Sequence, residues 1–554
     1  MKKIKYVFAT VLMALTMGST STSCSDFLEV VPENSQVSDD YWQTKQDVEN
    51  VLMGGYYYLR DAVQNHLLPY GELRAGLIYS RATSNPLQTY QVTPTSSIVD
   101  WSTFYKIINV ANTVLDRAKE ACAADMTYTE AELKSHYTEA YFLRALSYFY
   151  LVRNWRDVPM PLKSFQDDGT SFNLPLSYEA DIVDQIKTDI VTALQTGAAK
   201  ESFETTWETK GRATKWALYA LMADVCLWDE DYENAIKYCD ALLNAAASNP
   251  KAPAFMATPS RSSYFSLFNP GNSTESVFEL QWNANEEQSN NLPLLFDDEV
   301  LAILNGAGAY TVSANMCTDI VNEYLAIVGE QGEEGSMVEF LKESPRTDRA
   351  SFYAGANASL SLGMTQGYVW KYIGSTTRDK KRTSNAYDPN FIIYRMADVI
   401  LMKAEAVLLV DGLEPTPEHK LEAVKCINRI RERAALEDNI AAGMYDDPND
   451  LEGALDEVEM YSQEELLEKV LNERKIEFLG EGKIWYDFLR MGRSNNNRYK
   501  TSFLVEQVVN YNEQASESWL RSVLSSDNAL FLPIQNSEIE RNPLLTDKQN
   551  PYYK

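Results

Sequence analysis

Between Arg212 and Asn244 apolar and small residues recur with helical spacing: Thr214, Ala217, Leu218, Leu221 and Val225 share one face of a helix. After the acidic turn Asp229-Glu230-Asp231, the residues Ala235, Cys239, Leu242 and Leu243 repeat the pattern. The unit is close to the ~34 residues of a tetratricopeptide helix pair, and its alanines allow two helices to approach closely. A second pair is expected from Phe391 to Ala434, with Ala397, Leu401 and Ala404 on its first helix and Ala423, Ile427, Ile430 and Ala434 on its second. Asp411-Gly412, Pro415 and Pro417 break the pair. A third helical block is expected near 129–155, where the run Ala140 to Leu146 is apolar almost all round and so buried on several sides. A fourth, near 464–490, places Leu467, Val470, Leu471, Arg474 and Phe478 on one face. One pair cannot bury its own apolar face, so the four should stack.

Residues 246–390 lack this period: Asn, Ser, Gly, Pro and aromatics prevail, with short apolar runs such as Ser276 to Leu280. They read as loops and brief strands laid on the scaffold, and residues 496–532 read the same way. The predicted fold class is mainly α: a tetratricopeptide-like scaffold of about four helix pairs carrying an irregular, loop-rich, ligand-binding half. Residues 24–554 are expected to form one body.

Residues 1–23 stand apart. Lys2, Lys3 and Lys5 precede an apolar stretch from Tyr6 to Met17, then small and polar residues up to Cys24. Basic, apolar, small is the order of a secretory signal. The stretch is too short to span ~30 Å of hydrocarbon, and no later run is long and apolar enough either. Cys24 after the small residues resembles the acylated cysteine of bacterial lipoproteins, although Ser21 stands where Leu is usual.

The chain has 554 residues, with 50 Lys+Arg against 79 Asp+Glu, a formal charge of −29. A phosphate backbone would be repelled, so nucleic acid is not expected as a partner. Cys122, Cys226, Cys239, Cys317 and Cys426 form no C-x-x-C motif, which argues against zinc and a full disulfide framework. A single Cys226–Cys239 bridge is left open. Nucleophile-elbow, zincin and P-loop motifs are absent, and His66, His136 and His419 are far apart. No cofactor or metal is expected. Gly306-Ala307-Gly308 reads as a turn, and the acidic stretch 446–450 as a solvated loop.

Six ordered motifs carry a family resemblance. They are Cys24-Ser25-Asp26-Phe27-Leu28 with Pro32; Trp101 to Asn112; Glu139 to Pro161; Tyr394 to Ala406, continued by Ile427 to Ala434; Glu473 to Arg490; and Leu532 to Gln535 with Asn542-Pro543 and Asn550-Pro551-Tyr552-Tyr553. Together they resemble the SusD/RagB family of outer-membrane lipoproteins, with Lys483 standing where Arg is usual. The resemblance implies a binding protein and not an enzyme. It would be acylated at Cys24, exposed at the cell surface, and seated as a lid on a SusC-like TonB-dependent transporter that receives oligosaccharide, or less commonly peptide. A periplasm-facing tetratricopeptide scaffold is the alternative.

Arg395, Asp398 and Glu405, and likewise Glu473, Arg474 and Glu477, put charges on apolar helices, where they are costly unless paired. A structural ion-pair network is the simpler reading of Glu473 and Glu477 than an acid–base couple. Sugar recognition needs flat aromatic faces with polar groups for hydroxyls. Trp282 beside Gln281, Asn283 and Asn285, and Tyr310 after a glycine-rich turn, are the leading candidates. Trp101 belongs to a helix motif, and Trp370 lies in an alternating, strand-like run, so both are also candidates for core packing. Arg74 and Arg81 offer guanidinium groups for hydroxyls or a carboxylate.

Overall fold

The computed structural model describes residues 41–81, 85–165, 173–257, 264, 266–296, 310–319, 369–374, 382–383, 387–433 and 451–554. The leader, Cys24, the turn at Gly306 and the acidic stretch 446–450 lie outside the described residues.

The first principal helix, α1 (Lys45–Ala62), starts at Thr44, whose hydroxyl accepts from the Asp47 amide while the Asp47 carboxylate accepts from the Thr44 amide. This reciprocal pair satisfies two donors that a helix start leaves open. Its buried face is Val48, Leu52, Gly55, Leu59 and Ala62. Then follow α2 (Ser102–Ala124), α3 (Glu130–Trp155), α4 (Glu179–Gln195), α5 (Lys215–Trp228) and α6 (Tyr232–Ser248). The last four are α7 (Met396–Leu409), α8 (Pro417–Arg433), α9 (Gln463–Glu477) and α10 (Ile484–Asn497). From α1 to α8 each helix packs on the next, and α9 lies against α7 and α8. The fold is therefore the expected mainly α stack, and its four consecutive pairs are α1/α2, α3/α4, α5/α6 and α7/α8.

These are not all the pairs read from the sequence: α1/α2 was not read as a pair, and the unit expected at 464–490 falls outside the series, as α9 and α10. Residues 129–155 are not a pair but one helix, α3, sandwiched between α2 and α4, which is why it is buried on nearly every side. The segment 391–434 does not open with a helix: Phe391–Arg395 is a strand, since four successive large apolar side chains suit a fully buried strand. Residues 496–532 also depart from the loop reading. Glu506–Tyr511 and Glu517–Leu524 are helices, and Leu504, Val508 and Tyr511 point into the core at helical spacing despite the Asn-rich start.

Three two-stranded antiparallel ladders sit among the helices. Strand β1 (Ile78–Ser80) pairs with β5 (Tyr310–Val312), β2 (Val158–Pro159) with β3 (Leu176–Ser177), and β4 (Ser276–Leu280) with β6 (Phe391–Arg395). The brief strand expected at Ser276 to Leu280 is β4, buried along its whole length.

Strand β6 delivers Arg395 into a buried ion-pair network. Its guanidinium donates to Glu275 at 3.1 Å, Glu477 at 2.5 Å and Glu481 at 2.9 Å. Arg433 joins Glu275 and Glu477, Lys371 reaches Glu481 at 2.6 Å, and Arg490 grips Glu405 at 2.7 Å. Arg474 lies 2.9 Å from both Asp398 and Asp487, and Lys483 also pairs with Asp398. The motif charges are thus paired, as such burial requires. Glu477 faces two arginines and Glu473 lies 3.7 Å from Arg431, an arrangement of structural pairs.

A second tie is a backbone contact. A Cβ on Gly71 would sit 1.9 Å from the Gly482 carbonyl oxygen, and Gly482 itself has φ +73. Only glycines allow the two backbone segments this close. Beside the contact Glu72 is fully buried and accepts from the Gly482 amide at 2.7 Å. Burial pushes its carboxyl up to about 8.

Candidate functional site

The core stripe of α1 fixes what its other side presents. With Leu52, Gly55, Leu59 and Ala62 inside, Tyr57 and Arg60 share the outward face, and Gln64 continues it in the helical turn that follows. Tyr57 is 58% exposed. Strand β4 ends two residues before Trp282, whose amide donates to the Asn390 side chain at 3.2 Å. The Asn283 side chain accepts from Asn285 N at 3.0 Å and starts the turn that brings residues 284–291 round to α1.

Arg60 joins these elements. Its guanidinium carbon lies 5.5 Å from the centre of the Tyr57 ring and 5.7 Å from that of Trp282, within cation–π range. Its Nη1 donates to the Gln281 carbonyl at 3.2 Å and to Gln288 Oε1 at 2.8 Å. The resulting hollow, about 350 Å³, is lined by Tyr57, Arg60, Gln64, Asn65, Trp282 and Asn291, with Asp61 and Glu287 also on its wall. Aromatic faces, amides and a guanidinium around one cavity make a surface that stacks and hydrogen-bonds polyhydroxylated ligands.

Tyr310 and Arg81 come together elsewhere on the irregular half. Ser80 faces Tyr310 across the β1–β5 ladder, and Arg81 is the next residue. The Tyr310 ring lies 5.9 Å from Phe296, which stacks on Tyr372 at 5.7 Å, which stacks on Phe391 at 6.4 Å. Burial pushes the Tyr310 phenol up to about 12. The short helix Leu292–Phe296 connects the two places: Asn291, just before it, lines the hollow, and Phe296 at its end touches Tyr310. At ~1.5 Å per residue that helix is only about 7 Å long.

Trp370 opens a one-turn helix, Trp370–Ile373, where a strand was expected. Alternation misleads there because Lys371 reads as an outward position yet is buried, its ammonium held by Glu481 at 2.6 Å and the Glu477 carbonyl at 2.9 Å. Val369, Tyr372 and Ile373 are buried at helical spacing. This turn packs against Leu292–Phe296, so the Trp370 backbone is near the Tyr310 region.

Trp101 and Arg74 lie apart from these. Trp101 is 3% exposed at the start of α2 and packs on Tyr105 and Trp155 at 5.6 and 5.7 Å. It lines a separate cavity of about 480 Å³ bounded by Tyr105, Asn109, Pro161, Phe165 and Arg541. Arg74 is buried, donates to the Asn154 side chain and to the Leu530 carbonyl at 3.2 Å, and stacks 4.5 Å from Trp485. It lines neither hollow.

Sequence reasoning passed over Tyr57 and Arg60, which line the candidate hollow, because it sought ligand aromatics mainly in irregular segments. The signal was the run Tyr56-Tyr57-Tyr58 inside a helix: three consecutive positions cannot all face a core. Among the described residues no group of His, Cys, Asp or Glu is placed to hold a metal. Cys226 and Cys239 are both buried free thiols. Among the described residues no helix is long and apolar enough to cross a membrane.

The model of the SusD family matches residues 353–553, and one described as "Starch-binding associating with outer membrane" matches residues 26–227. SusD-like protein P38 of Formosa agariphila is 26% identical over 522 residues, covering 89% of this chain and 93% of its own. A SusD-like protein of Bacteroides ovatus is 23% identical and covers 98% of both chains. A crystal structure of a SusD superfamily protein from Bacteroides thetaiotaomicron, 21% identical, superposes with a TM-score of 0.66 over 93% of this chain and 99% of that one. With one SusD-type model on each half of the chain, full-length relatives and a shared helical fold, the chain belongs to the SusD/RagB family.

Proposed function

We propose that this protein is a surface glycan-binding lipoprotein. It captures oligosaccharide on its irregular half and passes it to a SusC-like TonB-dependent transporter, on which it acts as a lid. The observation that carries the reading is the hollow in which Tyr57 and Trp282 flank Arg60 among side-chain amides, in a chain of a family whose members are binding proteins. Stacking on the rings and hydrogen bonds to amides are how a neutral pyranose is held without chemistry being done to it. The starch-binding description of the family model on residues 26–227 supports the same ligand class. Tyr310 and Arg81 extend the contact surface beyond Phe296, Trp370 stays a candidate from its place in the sequence, and Trp101 and Arg74 act in packing.

The basic, apolar and small order of residues 1–23 supports cleavage before Cys24 and acylation there, which would tether the protein to the outer membrane. Calorimetric titration of the purified protein against a panel of neutral oligosaccharides and peptides tests the binding role. Saturable binding of a glycan without turnover supports it, and binding of peptides alone would replace it with the peptide-capturing reading. Protease shaving of intact cells tests the location, since a protected protein cannot be a surface lid.

A further inference from the structure

In a chain with 79 acids and 50 bases, an arginine without an acid beside it stands out. The buried or half-buried Arg144, Arg153, Arg212, Arg382, Arg395, Arg433, Arg474, Arg490 and Arg493 all have a carboxylate within 4 Å, whereas Arg74, held by Asn154, the Leu530 carbonyl and Trp485, has neutral partners but lines neither hollow. Arg60 is half-buried between two aromatic rings and has no carboxylate partner among the described residues. Only its Nη1 is engaged, by a carbonyl and a neutral amide; Nε and Nη2 make no hydrogen bond to the described residues. Burial lowers the guanidinium's basicity, a desolvation cost that no neighbouring carboxylate offsets.

We propose, resting on the glycan-binding reading above, that this hollow selects oligosaccharides bearing one carboxylate, such as a single uronic acid. The planar fork of Arg60 donates to the carboxylate while Tyr57 and Trp282 bracket the adjoining ring. The same wall sets an upper limit on charge. Asp61 and Glu287 also line the hollow and are exposed, so a second or third anionic group would meet like charge. The hollow therefore ranks ligands as monoanionic above neutral above polyanionic.

The test is calorimetry on the full chain with pairs that share a backbone and differ by one uronate: xylotriose against a xylotriose bearing one glucuronate, and cellobiose against cellobiouronic acid. A hyaluronan tetrasaccharide serves as the polyanion. The expected result is about tenfold or tighter binding of the monocarboxylated member, a preference that shrinks with salt and vanishes in Arg60→Gln, whereas Tyr57→Ala weakens both members alike. Arg60→Lys, which keeps the charge but loses the fork, should retain part of the preference. Equal affinity within a pair, or a preference that survives Arg60→Gln, overturns the selectivity while leaving glycan binding intact. Tighter binding of the hyaluronan fragment overturns the upper limit. No binding of any of these sugars by the unsubstituted chain overturns both the selectivity and the glycan reading beneath it.

Discussion

The guanidinium of Arg395 lies 3.1 Å from the carboxylate of Glu275, and neither side chain touches solvent. One comes from the strand that leads into α7, the other from the residue before β4, so the pair joins the irregular half to the scaffold. Glu275→Gln keeps the shape and removes the charge, leaving Arg395 and Arg433 facing one fewer anion. A loss of about 3–5 kcal/mol is expected on breaking one side of such a buried pair. Urea unfolding followed by far-ultraviolet dichroism measures it, and a loss below about 1 kcal/mol would show that the network is not what holds the halves together.

Tyr57 and Trp282 separate binding from folding. Tyr57 is 58% exposed, so Tyr57→Ala should leave stability within about 0.5 kcal/mol while lowering oligosaccharide affinity about tenfold, the loss of one stacking face. Trp282 is 8% exposed, and Trp282→Ala should cost about 3 kcal/mol of stability as well as affinity. Thermal unfolding paired with calorimetric titration distinguishes them. Unchanged affinity in both variants would remove the hollow from the binding surface.

Glu72 gives stability a pH dependence of definite sign. Between the ordinary glutamate value of 4.5 and about 8, the folded protein retains a proton on Glu72 that the unfolded chain has released. The stability this group contributes is therefore fully present below 4.5 and is lost as pH rises to about 8, with a slope of at most about 1.4 kcal/mol per pH unit. Glu72→Gln keeps an acceptor for the Gly482 amide and has no proton to lose. Unfolding free energy measured from pH 5 to 8 should fall less steeply in the variant than in the parent chain, and parallel curves would contradict the buried, protonated carboxyl.

The thiols should be inert. Burial pushes Cys226, Cys317 and Cys426 up to about 12, and Cys239 is raised as well. At pH 8 the thiolate is then a minor species, and alkylation of the native protein followed by peptide mass spectrometry should leave these four unmodified until denaturant is added. Cys122 is half-buried and marks the upper limit of native reactivity.

Sequence and structure agree where one physical rule decides the outcome. The spacing of Ala235, Cys239 and Leu242 placed α6, and the cost of unpaired buried charge anticipated that Arg395, Asp398, Glu405, Arg474 and Glu477 would be paired. Agreement ends where two rules compete. Phe391 to Tyr394 is as apolar as a buried helix, and only the partner strand β4 makes it β6. Lys371 is charged yet buried, and its partner Glu481 lies more than a hundred residues away in sequence. The pairing of α1 with α2, and of α3 with α4, spans connecting segments that no local period crosses. The candidate hollow was half legible: Trp282 was singled out from its polar neighbours, whereas Arg60 stood out only once the fold had set it between two rings.

The first helix divides its circumference between two tasks. Val48, Leu52, Gly55 and Leu59 hold the stack together, and Tyr57, Arg60 and Asp61 face the hollow. Substitutions on the second stripe leave the packing of the first untouched, so mutation can change what the hollow accepts without first having to rescue the fold. On the proposed reading, a lineage that duplicates this gene can diversify its diet along one face of a single helix.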